Sequence, residues 1–211
     1  MQHCPPVRLA VSWPRFFRSP MGHPLVFDIE TQNTFQEVGK YDCRLLNVSL
    51  VGAYDYADGQ YTSYMEQDLP ALWKKMEQAS VVIGYNIIGF DLPVLNKYYP
   101  GDLTKLPTID LMYLLEKQIG FRLKLEDVAQ GTLGIGKSGS GLMAVEYWKK
   151  GEIDKLRDYC LQDVKVTKEL FDYAREYRHL KYKDRQGTEV IVPITIEIPQ
   201  SRPPVNLTMP F

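Results

Sequence analysis

The sequence predicts an α/β fold, a mixed five-stranded sheet covered by helices, and three observations predict it. Three β-prone runs come first, the second and third joined by Asp58-Gly59, a dipeptide that favours tight hairpin turns. Two more short apolar runs then alternate with helical patterns, the arrangement that builds parallel strands. Last, residues 152–177 form a long amphipathic stretch able to lie across the sheet.

Each element follows from its residues. Leu25–Thr31 is a β-prone run, followed by a polar turn over 33–40 and a Leu- and Val-rich second strand over 44–54. The third strand, 61–65, pairs antiparallel with the second through the Asp58-Gly59 turn. Asp68 caps a helix over 69–79, where Leu69, Leu72, Trp73 and Met76 recur at helical spacing. Residues 81–85 make a short buried strand, and 91–99 a helix with Pro93 in its first turn. Residues 108–110 give the fifth strand, with helices over 111–119 and 125–130. Beyond a Gly-rich link come helices over 142–150 and 152–177, the second with an apolar stripe through Leu156, Cys160, Val164, Leu170 and Phe171. A hairpin over 180–183 and 189–192 turns at Asp184-Arg185-Gln186-Gly187, and four prolines mark 199–211 as an unstructured tail.

Bulk properties narrow the function. A chain of 211 residues with 45% apolar content supports one well-buried domain over 23–179, flanked by a disordered leader over 1–22 and a hairpin with tail over 180–211. The leader carries Arg8, Arg15 and Arg18 without an acid, and Pro5, Pro6, Pro14 and Pro20 break any targeting helix, so Met21 reads as an alternative start. No apolar run is long enough to span a membrane. Three cysteines without metal-ligand spacing fit a reducing, cytoplasmic setting. The net charge of −1 gives no global signal for nucleic acid, yet residues 25–114 hold 6 bases against 12 acids, and 115–185 hold 15 against 12.

Three acidic elements interrupt apolar segments. Asp28 and Glu30 alternate with Phe27 and Ile29, so both carboxylates leave one strand face about 6–7 Å apart and repel unless a cation sits between them. Taken alone, such a pair is mostly a solvated strand face. Asp91 opens a helix beside the carboxyl end of the buried 81–85 strand, where it serves either a site or an ordinary helix cap. Tyr159 and Asp163, four residues apart, share a face of the long helix, either turned inward or wet at its edge.

In order and spacing these segments resemble the three motifs of the exonuclease domain of family B DNA polymerases and the wider DEDDy branch of ribonuclease H-like 3′–5′ exonucleases. Phe27-Asp28-Ile29-Glu30-Thr31 is similar to the first motif, Asn86 through Phe90-Asp91 to the second, and Tyr159-x-x-x-Asp163 to the third. The resemblance implies a ribonuclease H-like fold and hydrolysis of phosphodiester bonds at the 3′ ends of single-stranded nucleic acid. DNA comes before RNA, and the products are nucleoside 5′-monophosphates. It implies two divalent cations, Mg²⁺ or Mn²⁺, with Asp28 touching both, Glu30 and Asp163 completing the first, and Asp91 helping to hold the second. Tyr159 would orient the attacking water. Thr31 and the backbone at Ile29 would meet the terminal 3′-hydroxyl, and Asn86 and Phe90 the last bases. A polymerase or a helicase is the protein partner such an activity would serve. An exoribonuclease and a non-catalytic nucleic-acid-binding subunit remain open alternatives.

Arg122, Lys124, Lys149, Lys150, Lys155 and Arg157 either track a nucleic-acid backbone or decorate solvated helix faces. Gly131 to Ser138 satisfies the phosphate-loop pattern G-x-x-x-x-G-K-[ST], but a helical pattern precedes it where a strand is required. A flexible connection beside the nucleic-acid groove fits it better.

Overall fold

The computed structural model describes residues 22–136 and 141–198, and the expected leader, tail and Ser-Gly portion of the link lie outside them. Five strands form one sheet: β1 (Leu25–Thr31), β2 (Val48–Asp55), β3 (Gln60–Met65), β4 (Val82–Gly84) and β5 (Thr108–Asp110), in the order β3-β2-β1-β4-β5. β1 to β3 form the antiparallel meander, and β4 and β5 run parallel to β1.

The central strand divides the core by its alternation. Leu25, Phe27 and Ile29 join Val51, Leu72 and Met76 under α2 (Leu69–Gln78) and α3 (Asp91–Leu95). Val26 faces the other way, packing with Ile83, Val128, Val164 and Phe171 beneath α4 (Leu111–Ile119), α5 (Leu125–Leu133) and α7 (Ile153–Tyr177). Asp28 and Glu30 share Val26's parity, so they belong to the α7 side.

How close α7 comes is decided by one residue of β2. Gly52 stands opposite Asp28, and a Cβ there would lie 2.9 Å from Val164 Cγ2 and 3.0 Å from Cys160 Sγ. The missing side chain lets the helix settle onto the sheet beside the two acids.

Several boundaries move for local reasons. β2 begins at Val48 because the Asp42 carboxylate accepts the Arg44 N–H at 3.1 Å and winds 43–45 into a 3₁₀ turn. The polar turn over 33–40 contains a one-turn helix, α1 (Phe35–Val38), closed by a Thr34–Glu37 capping box. Asp68 does not cap α2; its carboxylate accepts the Met65 N–H at 3.2 Å instead. The helix expected over 91–99 is only α3, ending at Leu95.

The phosphate-loop look-alike begins inside the last turn of α5, which runs on to Leu133. Its glycine serves a different purpose. The C-terminal hairpin, β6 (His179–Lys183) with β7 (Glu189–Pro193), lies against α5, and a Cβ on Gly131 would come within 2.5 Å of Tyr182 Cα and 2.6 Å of the Lys181 carbonyl. Thr132 Oγ1 donates to the Lys181 carbonyl at 2.9 Å and accepts the Lys181 N–H at 2.8 Å. Leu180 and Val192 enter the α7-side core from this hairpin. Gly131→Val should therefore unseat it and cost about 1–3 kcal/mol of stability, read as a lower urea midpoint; an unchanged midpoint would show that the seam is dispensable.

The remaining helix, α6 (Gly141–Lys149), packs on α7 through Ala144 and Leu156. Among the described residues no helix is long and apolar enough to cross a membrane.

Candidate active site

β1 outruns its parallel neighbour. Its ladder with β4 covers only Leu25 and Val26, and β4 ends at Gly84 beside Phe27, so farther along that edge β1 has no ladder partner. The amide of Ile29 falls there and would be an orphaned buried donor, but Asp91 Oδ1 accepts it at 3.1 Å. Asp91 is thus a buried acid tied to the strand that carries Asp28 and Glu30, not a cap of its own helix. Its position at the start of α3 comes from the turn Tyr85–Phe90.

That turn is held by a residue which the sequence reading left as the end of a strand. Asp110 Oδ1 accepts the Asn86 N–H at 2.8 Å and Oδ2 accepts the Ile88 N–H at 2.9 Å. The same carboxylate caps α4 through the amides of Met112 and Tyr113. Asn86 sits at φ 65°, a left-handed conformation that Asn tolerates better than most residues. An Asp before an apolar helical run is the usual helix-start signal, and that pattern could have identified the cap.

From the opposite side α7 contributes Tyr159 and Asp163. Both line one open cavity of about 800 Å³ together with Asp28, Ile29, Glu30, Thr31, Asn86, Phe90 and Asp91. The nine residues expected from the three motifs to act on metal or substrate therefore border the same space. Thr31 uses its hydroxyl internally, donating to the Asn33 carbonyl at 2.9 Å. Phe90 is half-buried, packing edge-on to Phe35 with ring centres 6.1 Å apart while still facing the cavity. Of the basic residues, Arg122, paired with Glu116 at 3.2 Å, and Lys124 reach the cavity wall. Lys149 pairs with Glu37, and Lys150, Lys155 and Arg157 pair with acids on exposed helix faces.

The acids are held under electrostatic stress. Burial pushes the Asp28 carboxyl well above its ordinary value, and the charges of Asp91, Glu30 and Asp163 push the same way. Glu30 is raised too, by burial first and then by Asp163 and Asp91. Asp91 is pushed up to about 8 by burial and the Asp110 charge, against the pull of its backbone hydrogen bonds. Burial, then the charges of Asp163, Glu30 and Asp28, raise the Tyr159 phenol, keeping it a neutral hydrogen-bonding group.

Such a donor set fits a hard divalent cation. Carboxylate oxygens are the preferred ligands of Mg²⁺ and Mn²⁺, and a bound dication reverses the repulsion that raises these carboxyls. Ligand atoms of Asp28, Glu30 and Cys160 lie within 4.8 Å of one another, close enough for one ion to touch more than one of them.

Comparison with known proteins agrees with this architecture. A profile of the RNase H superfamily matches residues 25–175. The chain is 27% identical over 196 residues to a DNA-directed DNA polymerase of Enterobacteria phage T3 and 25% identical to one of Escherichia phage T7. Each match covers 74% of this chain and 27% of the polymerase, so the chain spans about a quarter of these relatives. Among solved structures, the family B DNA polymerase of the hyperthermophilic archaeon Pyrobaculum calidifontis superposes with a TM-score of 0.55 at 21% identity, over 72% of this chain and 24% of that one. This last likeness concerns the fold. The profile runs through all five strands of the sheet and on to Arg175 in the last turn of α7, and on that match the chain belongs to the RNase H superfamily.

Proposed function

We propose that the protein is a metal-dependent 3′–5′ exonuclease acting on single-stranded ends, DNA in preference to RNA, and releasing nucleoside 5′-monophosphates. The observation that carries this reading is the convergence of Asp28, Glu30, Asp91, Asp163 and Tyr159 on one open cavity. The phage relatives support the substrate class, since both are named as DNA polymerases. The work would be done beside a polymerase or a helicase, in a reducing compartment such as the cytoplasm.

Asp28, Glu30 and Asp163 would hold one divalent ion, and Asp28 with Asp91 the other. Ions so placed supply an activated water and neutralise charge on the leaving 3′-oxygen. The protein's own groups do the positioning. The Ile29 amide fixes Asp91 to β1, so the strand acids and Asp91 keep one geometry. Tyr159 stays protonated and can hold the attacking water by a hydrogen bond. Phe90 offers an aromatic face to a terminal base without regard to its identity, with Asn86 and Thr31 beside it. Arg122 and Lys124 bring positive charge to the wall for the phosphates upstream.

End-labelled single-stranded DNA and RNA, incubated with Mg²⁺ or Mn²⁺ and with EDTA, test the proposal. Stepwise shortening from the 3′ end, faster on DNA and absent in EDTA, is expected; no shortening of either strand would sink it. Tyr159→Phe should slow hydrolysis roughly 10- to 100-fold while Mn²⁺ binding, followed by calorimetry, stays at the wild-type level.

A further inference from the structure

Cys160 stands directly behind the acids, and the proposed hydrolysis does not use it. It is fully buried on α7, one residue after Tyr159, with Sγ 3.6 Å from the Asp28 carbonyl and 3.9 Å from Asp28 Oδ2. Gly52 leaves it room to sit there. A second observation points independently to a ligand. Glu30 is 7% exposed and lines the cavity, yet no hydrogen-bond donor among the described residues reaches its carboxylate. A buried carboxylate with neither donor nor counter-ion calls for a cation.

We propose that Asp28, Glu30 and Cys160 form a site for a thiophilic divalent ion, Zn²⁺ or Cd²⁺, whose occupancy shuts off the enzyme. Zinc binds sulfur at about 2.3 Å and carboxylate oxygen at about 2.0–2.2 Å, which sets the two donors roughly 3.5 Å apart on a tetrahedral edge. The Cys160–Asp28 separation of 3.9 Å is a few tenths of an ångström wider, within reach of a side-chain adjustment. Mg²⁺ and Mn²⁺ take the oxygen donors and ignore the sulfur, whereas Zn²⁺ and Cd²⁺ gain from it. On binding, the S–H bond of Cys160 breaks, a metal–sulfur bond forms and the proton leaves to the buffer. Asp28 and Glu30 are then committed to the wrong ion. Binding stands on the geometry alone; the inhibitory consequence rests on the exonuclease reading.

The full chain carrying Cys4→Ser and Cys43→Ser, with Cys160 as its remaining thiol, is titrated with Cd²⁺ while the thiolate-to-metal charge-transfer absorption is followed in the ultraviolet. One Cd²⁺ per chain with this absorption is expected, and its loss when Cys160→Ser is added. Absence of the band with Cys160 present, or its persistence in Cys160→Ser, overturns the site. Glu30→Gln keeps the thiol and should weaken Cd²⁺ binding roughly tenfold or more; unchanged affinity in a folded Glu30→Gln chain also overturns it, which keeps the test decisive if Cys160→Ser fails to fold. In Mg²⁺-supported hydrolysis, the Zn²⁺ concentration that halves each protein's own rate should rise roughly tenfold or more in Cys160→Ser, and an unchanged value refutes the regulatory role. The band without any hydrolysis retains this site and overturns the exonuclease reading, and hydrolysis without the band does the reverse.

Discussion

Asp28→Asn should cut hydrolysis by roughly 10³-fold or more, the loss of several kcal/mol of charge stabilisation at the reacting phosphate, and should at the same time make the metal-free protein melt higher. The two effects have one cause. Asp28 is half-buried beside Asp91, Glu30 and Asp163, and the loss of solvent together with those three charges raises its carboxyl. Replacing it with a neutral group of similar shape removes a like charge from a site that cannot disperse it. Each kcal/mol recovered raises the midpoint by about 2–4 °C in a chain of this size. Thermal melts in EDTA, set beside the nuclease assay, check both halves. Wild-type hydrolysis in the variant would remove Asp28 from the chemistry, and a lower melting point would show that its carboxylate is stabilised without metal.

The second large effect is a pH dependence that metal reverses. An ordinary Asp carboxyl titrates at 3.8, whereas Asp91 in the fold is pushed up to about 8. Between those values the folded chain keeps a proton that the unfolded chain has given up, so the folded state binds more protons and stability declines as pH rises. The contribution is whole below about 4 and gone by about 8. Asp28 and Glu30 are raised as well and act in the same direction. Saturating Mn²⁺ should oppose the decline, since ions at 100 times their dissociation constant add about 2.7 kcal/mol and bind better once protons have left. Melting points measured from pH 5 to 9 should fall steadily in EDTA and hold level or rise with Mn²⁺. A flat profile in EDTA would mean that the acids are not strained.

Much of this was legible because the signals are local. The alternation of Leu25–Thr31, the Asp58-Gly59 turn and the apolar periodicity of the α7 stripe each depend on a few neighbouring residues, and those elements appear where their patterns put them. The 3₁₀ turns that Asp42 winds over Cys43–Leu45 and Asp102 over Leu103–Lys105 escaped because each depends on a single carboxylate reaching an amide two residues on. Partners brought together from distant segments were harder still. That Asp91 serves the Ile29 amide follows from where β4 stops, and the fourfold clamp of Asp110 joins a turn more than twenty residues upstream to its own helix. Gly52 and Gly131 look alike in a sequence, yet one makes room for a helix and the other for a hairpin. Nothing on either side of them says which.

β1 pairs on both edges at Leu25 and Val26 and on one edge alone through its later residues. The first part of the strand belongs to the architecture; the second, with Asp28 and Glu30, lies where a neighbouring strand has been left short. The cavity is the space which that shortfall leaves. Extending β4 by two or three residues would complete the ladder and give a more regular sheet, and it would fill the site in doing so. In this chain the candidate site is made by leaving the sheet unfinished.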